Sequence, residues 1–143
     1  MYSSNKTVII ENLSIGYELP GRNFCPDSRQ LFLYNASLWN AHKIHFDYPY
    51  AKEVEGYPGL VLAGPLLGDW MHQCLEEWVG AKGRIKSIDY SNRIASYLGE
   101  TLYSGGSVIA IDLEKREAIV DVFIKNEKNE VVSPGTATLE FLP

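Results

Sequence analysis

Two of the chain's three histidines, His42 and His45, fall in one nine-residue segment, Trp39-Asn40-Ala41-His42-Lys43-Ile44-His45-Phe46-Asp47. Nineteen residues beyond His45 stands Gly64, followed by Pro65 and a run with helical spacing. An imidazole titrates near neutrality, so it can take and return a proton at working pH. The first turn of a helix leaves backbone N–H groups unpaired, and its dipole favours negative charge there. Together these suit chemistry on a thioester carbonyl, where a proton moves and charge gathers on oxygen.

The elements around the segment follow from periodicity and turn chemistry. Pro26-Asp27-Ser28 offers an N-cap for a short helix over Arg29–Leu38. Trp39–Asp47 then reads as a loop, and Tyr48-Pro49-Tyr50-Ala51 opens another helical turn, with Pro49 suited to its first position. Gly56-Tyr57-Pro58-Gly59 is a turn. Beyond Gly64-Pro65, Leu66, Leu67, Trp70, Met71, Cys74, Leu75 and Trp78 share one side of a helix, and Asp69, His72, Gln73, Glu76 and Glu77 share the other. So wide an apolar stripe predicts a heavily buried helix. Thr7–Ile10 is a short apolar, β-branched run, and Ile15–Gly21 reads as loop or turn. Arg84–Tyr90, Val108–Leu113, Ala118–Lys125 and Thr136–Leu142 read as strands, with Asn126–Glu130 as a hairpin tip and Pro134-Gly135 as a bulge or bend. One long helix followed by an antiparallel meander is α+β, and a curved sheet around that helix is the economical packing.

Composition fits one ordinary domain of 143 residues, with 45% apolar and 22% charged residues. A net charge of -5 without a basic block argues against nucleic acid. No apolar run approaches the ~20 residues of a membrane span, so no membrane partner is expected. The N-terminal residues lack the long apolar stretch of a signal peptide. Cys25 and Cys74 have no metal-type spacing and suggest no disulfide framework. These features lead to the expectation of a reduced, cytoplasmic protein.

The segment Leu38–Asp47 resembles the active-site loop of the MaoC-like hydratases and dehydratases, whose usual motif is Asp-x-Asn-Pro-x-His. Here Asn40, Ala41, His42, Lys43, Ile44 and His45 occupy it. The likeness is stronger to the branch of mesaconyl- and itaconyl-type CoA hydratases and type 2 hydroxyacyl-thioester dehydratases. That branch shows N-x-H-R-I-H-Y-D, then E-V-E-G-Y-P-G-L-V-x-x-G-P-L. This chain reads NAHKIHFD over Asn40–Asp47 and EVEGYPGLVLAGPL over Glu53–Leu66. Val131–Thr138 also looks like the branch. The resemblance implies a single hotdog domain over residues 1–143, a sheet wrapped around a central helix, paired as a homodimer or higher homo-oligomer.

It also implies an activity: reversible hydration or dehydration between a 2-enoyl and a 3-hydroxyacyl thioester, carried on CoA or an acyl-carrier protein. By residue match His45 is the catalytic histidine and Asn40 stands at the family's Asp. An amide accepts no proton at neutral pH, so Asn40 would orient water or bond the imidazole, leaving His45 to carry both proton transfers. Gly64 matches the glycine whose N–H meets the thioester oxygen; a donor of that kind is worth ~2.7–4 kcal/mol in other enzymes. Ala63 stands where relatives often have His, and Ala63 and Trp39 complete the expected substrate contacts, Trp39 serving equally well as core. No cofactor is implied, because CoA or phosphopantetheine belongs to the substrate.

Other readings stand beside this one. His72, on the polar helix face, reads as structural. His42 and His45 lack a convincing third metal ligand, and Asp47 reads as a cap for the turn that follows. Tyr48, Tyr50 and Tyr57 read as a cluster for core and dimer packing, and Trp70 and Trp78 as core. Arg84, Lys86 and Arg93 are cations that would suit CoA phosphates, though scattered surface cations are ordinarily just solvated. Hotdog folds also host thioesterases, for which Asp69 and Glu76 are candidates by position. Asn40 keeps open a non-catalytic acyl-binding module or the silent half of a heterodimer. A tailoring enzyme of a biosynthetic cluster would use the same pocket.

Overall fold

The computed structural model describes residues 8–143. Helix α1, Ser28–Ser37, begins where the sequence places its cap: Asp27 Oδ1 accepts the Gln30 N–H at 2.8 Å. That bond satisfies one of the first-turn donors a helix leaves open. Leu31 and Asn35 are its buried residues, while Phe32 and Leu33 face outward. A 3-10 turn, Lys43–His45, and a π turn, Tyr50–Val54, follow. Pro49 stands just ahead of the π turn, and Asp47 caps it by accepting the Tyr50 N–H at 3.1 Å.

Helix α2, Gly64–Val79, is the axis of the fold and continues into a 3-10 turn at Gly80–Lys82. All seven residues of the expected apolar stripe are buried. Asp69, Gln73, Glu76 and Glu77 are exposed and His72 is half-buried, so the polar face is also where periodicity puts it.

Five strands form one antiparallel sheet among the described residues: β1 Arg22–Phe24, β2 Gly83–Tyr90, β3 Leu102–Asp112, β4 Glu117–Lys125 and β5 Val131–Phe141. Their order across the sheet is β1-β3-β4-β5-β2. Helix α2 packs against β2, β3, β4 and β5, so the sheet curls around it. Trp70 stacks on Phe24 of β1 with ring centroids 4.4 Å apart, closing one side of the core.

The structure adds to the sequence reading at several points. Of the apolar run Thr7–Ile10, Thr7 lies outside the described residues and Ile10 opens a 3-10 turn ending at Asn12. Strand β1 is too short and polar to carry a periodic signal, and Gly105-Gly106 conceals the first half of β3 from any propensity argument. Pro134-Gly135 does not interrupt β5, since Phe123 pairs with Pro134 and Val122 with Gly135. The irregularity falls earlier: Ile124 pairs with Ser133 and Lys125 with Val131, leaving Val132 without a partner in β4. The Val132 carbonyl instead accepts N–H groups from Arg93 and Ile94.

The connection from β2 to β3, residues 91–101, carries the chain from one edge of the sheet to its interior. On the way it pairs with the segment leading into α2. Leu62 N–H donates to Ser96 O at 2.8 Å, and Leu98 N–H to Leu60 O at 2.9 Å. This strap fixes the segment on which the candidate site is built.

Candidate active site

The loop bearing the two histidines is held at both ends. At its start, buried Asn35 of α1 receives Asn40 twice. The Asn40 N–H donates to Asn35 O and Asn40 Nδ2 to Asn35 Oδ1, each at 2.9 Å. Asn35 Nδ2 donates in turn to Leu31 O at 2.8 Å. The loop is then folded by Asn40 Oδ1, which accepts the His42 N–H at 3.2 Å. Both ends of the Asn40 amide are therefore engaged within the chain, and an amide oxygen keeps one further acceptor site.

His45 is buried, 8% exposed, at the end of the 3-10 turn. Its Nδ1 lies 2.7 Å from Val61 O, while Val61 N–H donates to Ile44 O at 3.0 Å. A carbonyl only accepts, so the neutral ring carries its proton on Nδ1 and leaves a lone pair on Nε2. The partner of this nitrogen is a backbone carbonyl and not Asn40, for which the resemblance allows either orienting water or bonding the imidazole. Since Val61 is also tied into the strap, ring, loop and approach to α2 form one hydrogen-bonded unit.

Three residues past Val61, α2 begins at Gly64, with Ala63 in extended backbone as N-cap and Pro65 in the first turn. Ala63 is fully buried. The Leu66 N–H turns back to Ala63 O at 3.0 Å, and Pro65 has no N–H. Among the described residues nothing accepts from the Gly64 N–H, which stands at the positive end of the helix dipole. Glycine suits this position for a reason that lies in the chain itself. A Cβ at Gly64 would collide with Nδ2 of Asn92, from the β2–β3 connection. Asn92 Oδ1 accepts the hydroxyl of buried Ser133 at 2.6 Å, which turns Nδ2 toward the helix start. One turn further on, a Cβ at Gly68 would collide with the Tyr90 ring. The two glycines form a groove along α2 that receives the end of β2.

The remaining candidates fall outside this arrangement. His42 is exposed, with its ring centroid 6.0 Å from that of His45. Among the described residues no group of three His, Cys, Asp or Glu side chains converges. Trp39, at φ 54, is 94% exposed, so it does not pack in the core of this chain. Phe46 and Tyr48 are exposed beside the same loop. The three tyrosines do not form one cluster: Tyr57 packs on Tyr97 at 6.3 Å between centroids, and Tyr50 donates to Glu55 at 3.0 Å. Trp70 and Trp78 are core, and Nδ1 of His72 bonds Gly68 O one turn back at 2.9 Å. Arg84 pairs with Glu140 and Lys86 with Glu117, whereas Arg93 makes a side-chain bond to Ser91 at 3.2 Å. Asp69 accepts the Tyr34 hydroxyl at 2.7 Å. Burial, then that carboxylate, pushes the Tyr34 phenol well above its usual range. Two open grooves, about 460 and 630 Å³, flank β2, and neither is lined by His45, Asn40 or Gly64.

The residues that sequence reasoning missed are Asn35, Val61, Asn92 and Ser133. Asn35 alone left a signal, as a polar residue on the apolar face of α1.

Comparisons with known proteins agree with this architecture. The family model described as hydroxyacyl-thioester dehydratase type 2 matches residues 14–98, well over half of the chain. The mesaconyl-C(4)-CoA hydratase of Chloroflexus aurantiacus is 56% identical over 46 residues, 32% of this chain and 16% of that protein. The mitochondrial hydroxyacyl-thioester dehydratase type 2 of Saccharomyces cerevisiae is 27% identical over 81 residues, 57% of this chain and 28% of that one. The matched stretch thus spans less than a third of either relative's length. Among solved structures, an (R)-hydratase from A. caviae involved in PHA biosynthesis superposes with a TM-score of 0.84 at 16% identity, covering 93% of this chain and 99% of that one. The ChsH1–ChsH2 complex from Mycobacterium tuberculosis gives 0.79 at 18% identity, covering 90% and 98%. At such identities the likeness shows the fold, which is the hotdog arrangement of a curled antiparallel sheet around a central helix. The chain belongs to the hydroxyacyl-thioester dehydratase type 2 family.

Proposed function

We propose that the chain catalyses reversible hydration and dehydration between a 2-enoyl thioester and a 3-hydroxyacyl thioester, with CoA or a carrier-protein arm as part of the substrate. The observation that carries this reading is the bond from His45 Nδ1 to Val61 O, which presents Nε2 as a base on the segment that leads into Gly64. In the hydration direction Nε2 takes a proton from water as its oxygen bonds to C3. The C2–C3 π electrons move toward the thioester carbonyl, and the Gly64 N–H holds the resulting enolate oxygen. The imidazolium then returns its proton to C2. One group serving both transfers requires addition on a single face. Asn40 helps place the water through its remaining acceptor site while shaping the loop. The scheme calls for no metal or redox cofactor.

Positioned proton transfer contributes typically 10²–10⁴-fold and one oxyanion donor about 10²–10³-fold. A thioesterase reading receives no support from Asp69, whose carboxylate is taken up by Tyr34. The apolar rim of Trp39, Phe46 and Tyr48 suits burial against a second hotdog unit, and we take a second copy of this chain as that unit.

The test follows crotonyl-CoA and mesaconyl-CoA by the ultraviolet band of the conjugated thioester, with wild type and His45→Ala. Loss of the band with wild type alone supports the assignment. Equal rates for the two proteins remove His45 from the mechanism, and release of free CoA by wild type would replace hydration with hydrolysis.

A further inference from the structure

We propose that Asn92 supplies a second hydrogen-bond donor for the thioester oxygen, its side-chain amide acting beside the Gly64 N–H. The inference deepens the functional reading above and rests on it for the identity of the oxygen.

Nδ2 of Asn92 occupies the place a side chain at Gly64 would fill, so an N–H2 group lies against the first residue of α2. Its orientation is set from behind. Oδ1 accepts the Ser133 hydroxyl at 2.6 Å, and Ser133 is completely buried in β5. Among the described residues Nδ2 makes no hydrogen bond, and Asn92 is exposed, so its donors remain available to a ligand. The backbone around it is anchored too, because the Arg93 N–H donates to Val132 O at 2.9 Å and the Ser91 N–H to Pro134 O at 3.1 Å. The bulge at Val132 turns that carbonyl outward to make this anchor. Two donors then stand beside the first residue of α2 from independent elements, the start of α2 and the β2–β3 connection. Donors held in advance where charge develops cost no reorganisation during reaction. The glycine at 64 and the asparagine at 92 are, on this view, two halves of one device: the missing side chain makes room for the amide.

The reverse amide orientation would place Oδ1 at the helix start, where it would accept the Gly64 N–H and close the site. The two orientations predict opposite effects of removing the amide, and a non-reacting ligand reads the difference. The experiment measures the infrared carbonyl band of butyryl-CoA, carbon-13 labelled at the thioester carbon, bound to wild type, Asn92→Ala and Ser133→Ala. The proposal expects a band lowered in frequency in wild type, shifted back toward the solution value in Asn92→Ala and partly back in Ser133→Ala. In parallel, kcat for crotonyl-CoA should fall about 10²-fold in Asn92→Ala with KM within a few-fold, as for loss of one oxyanion donor. Asn92→Asp, which puts an acceptor beside the enolate, should fall further than Asn92→Ala. Thermal unfolding of each variant separates these effects from misfolding.

A carbonyl band unchanged by Asn92→Ala, or lowered further by it, overturns the proposal even if wild type hydrates crotonyl-CoA. An Asn92-dependent band without any hydration keeps the proposal and overturns the hydratase reading. Absence of butyryl-CoA binding overturns both.

Discussion

Removing the Asn35 side chain should uncouple the histidine loop from α1, at a cost the structure allows to be worked out. Asn35→Ala deletes two hydrogen bonds, from Asn40 Nδ2 and to Leu31 O. The backbone bond from Asn40 N–H to Asn35 O remains. Neither loss leaves a buried orphan: Leu31 O keeps its helical partner, and Asn40 Nδ2 is half-exposed and can be hydrated. Each bond is then worth its net value of about 1 kcal/mol, giving about 2 kcal/mol in all. For a chain of this size that is a fall of about 8 °C in Tm. Activity should drop by more than stability explains, because the loop that carries His45 loses one of its two side-chain anchors. A decrease of about 10- to 100-fold in kcat/KM is expected from misplacement of the reacting group. The assay is a double-mutant cycle of Asn35→Ala and Asn40→Ala, read by urea unfolding and by enoyl-thioester hydration. The double variant should be about 1 kcal/mol more stable than the sum of the singles implies, since the shared bond can be lost only once. Strict additivity, or a wild-type rate in Asn35→Ala, would refute the claim that α1 positions the site.

Other expectations are shorter to state. Gly68→Ala gains helix propensity worth up to ~1 kcal/mol, but its Cβ meets the Tyr90 ring, so net destabilisation of about 1–2 kcal/mol is expected in denaturant titration. Tyr90→Ala in the same chain should remove most of that penalty, and a Gly68→Ala protein more stable than wild type would show that Tyr90 yields freely. Ser96 has a buried hydroxyl without a partner among the described residues, so Ser96→Ala should raise stability by about 1 kcal/mol. Burial pushes the Cys74 thiol above its usual range, so the neutral, unreactive form persists at mildly alkaline pH. A thiol reagent at pH 8 should therefore label exposed Cys25 in the native protein and both cysteines in urea; rapid native labelling of Cys74 would count against its burial.

The sequence made α2 legible because a wide apolar stripe at a period of 3.6 leaves few alternatives, and all of its stripe residues are indeed buried. The Asp27 cap and the Asp47 cap were readable because each acts within three residues on its own chain. The meander is readable as strands, but Pro134-Gly135, which reads as a bulge or bend, stays in register, and the irregularity between β4 and β5 lies at Val132. A proline announces a missing donor, whereas register is decided by the partner strand. His45 was identified by resemblance, but what holds it was not, because its partner is a backbone carbonyl 16 residues away that leaves no mark on residue type. Asn92 was silent for a similar reason. It sits in a polar stretch where asparagine looks ordinary, and its partner Ser133 is 41 residues distant. Trp39 shows the converse limit, for its type suits pocket lining and core packing equally, and the chain by itself exposes it.

The groove formed by Gly64 and Gly68 also bears on how such a chain can diverge. A side chain at position 64 requires the amide of position 92 to move or be lost, and one at position 68 requires the same of the ring at position 90. Within each pair, only a glycine substituted first meets a collision, whereas loss of the partner side chain first opens the space. The two pairs should therefore change in a preferred order, the partner at 92 or 90 giving way before the glycine. A collection of related sequences would show this as covariation between 64 and 92 and between 68 and 90. Gln73 and Glu76, on the solvent-facing side of α2, would drift independently.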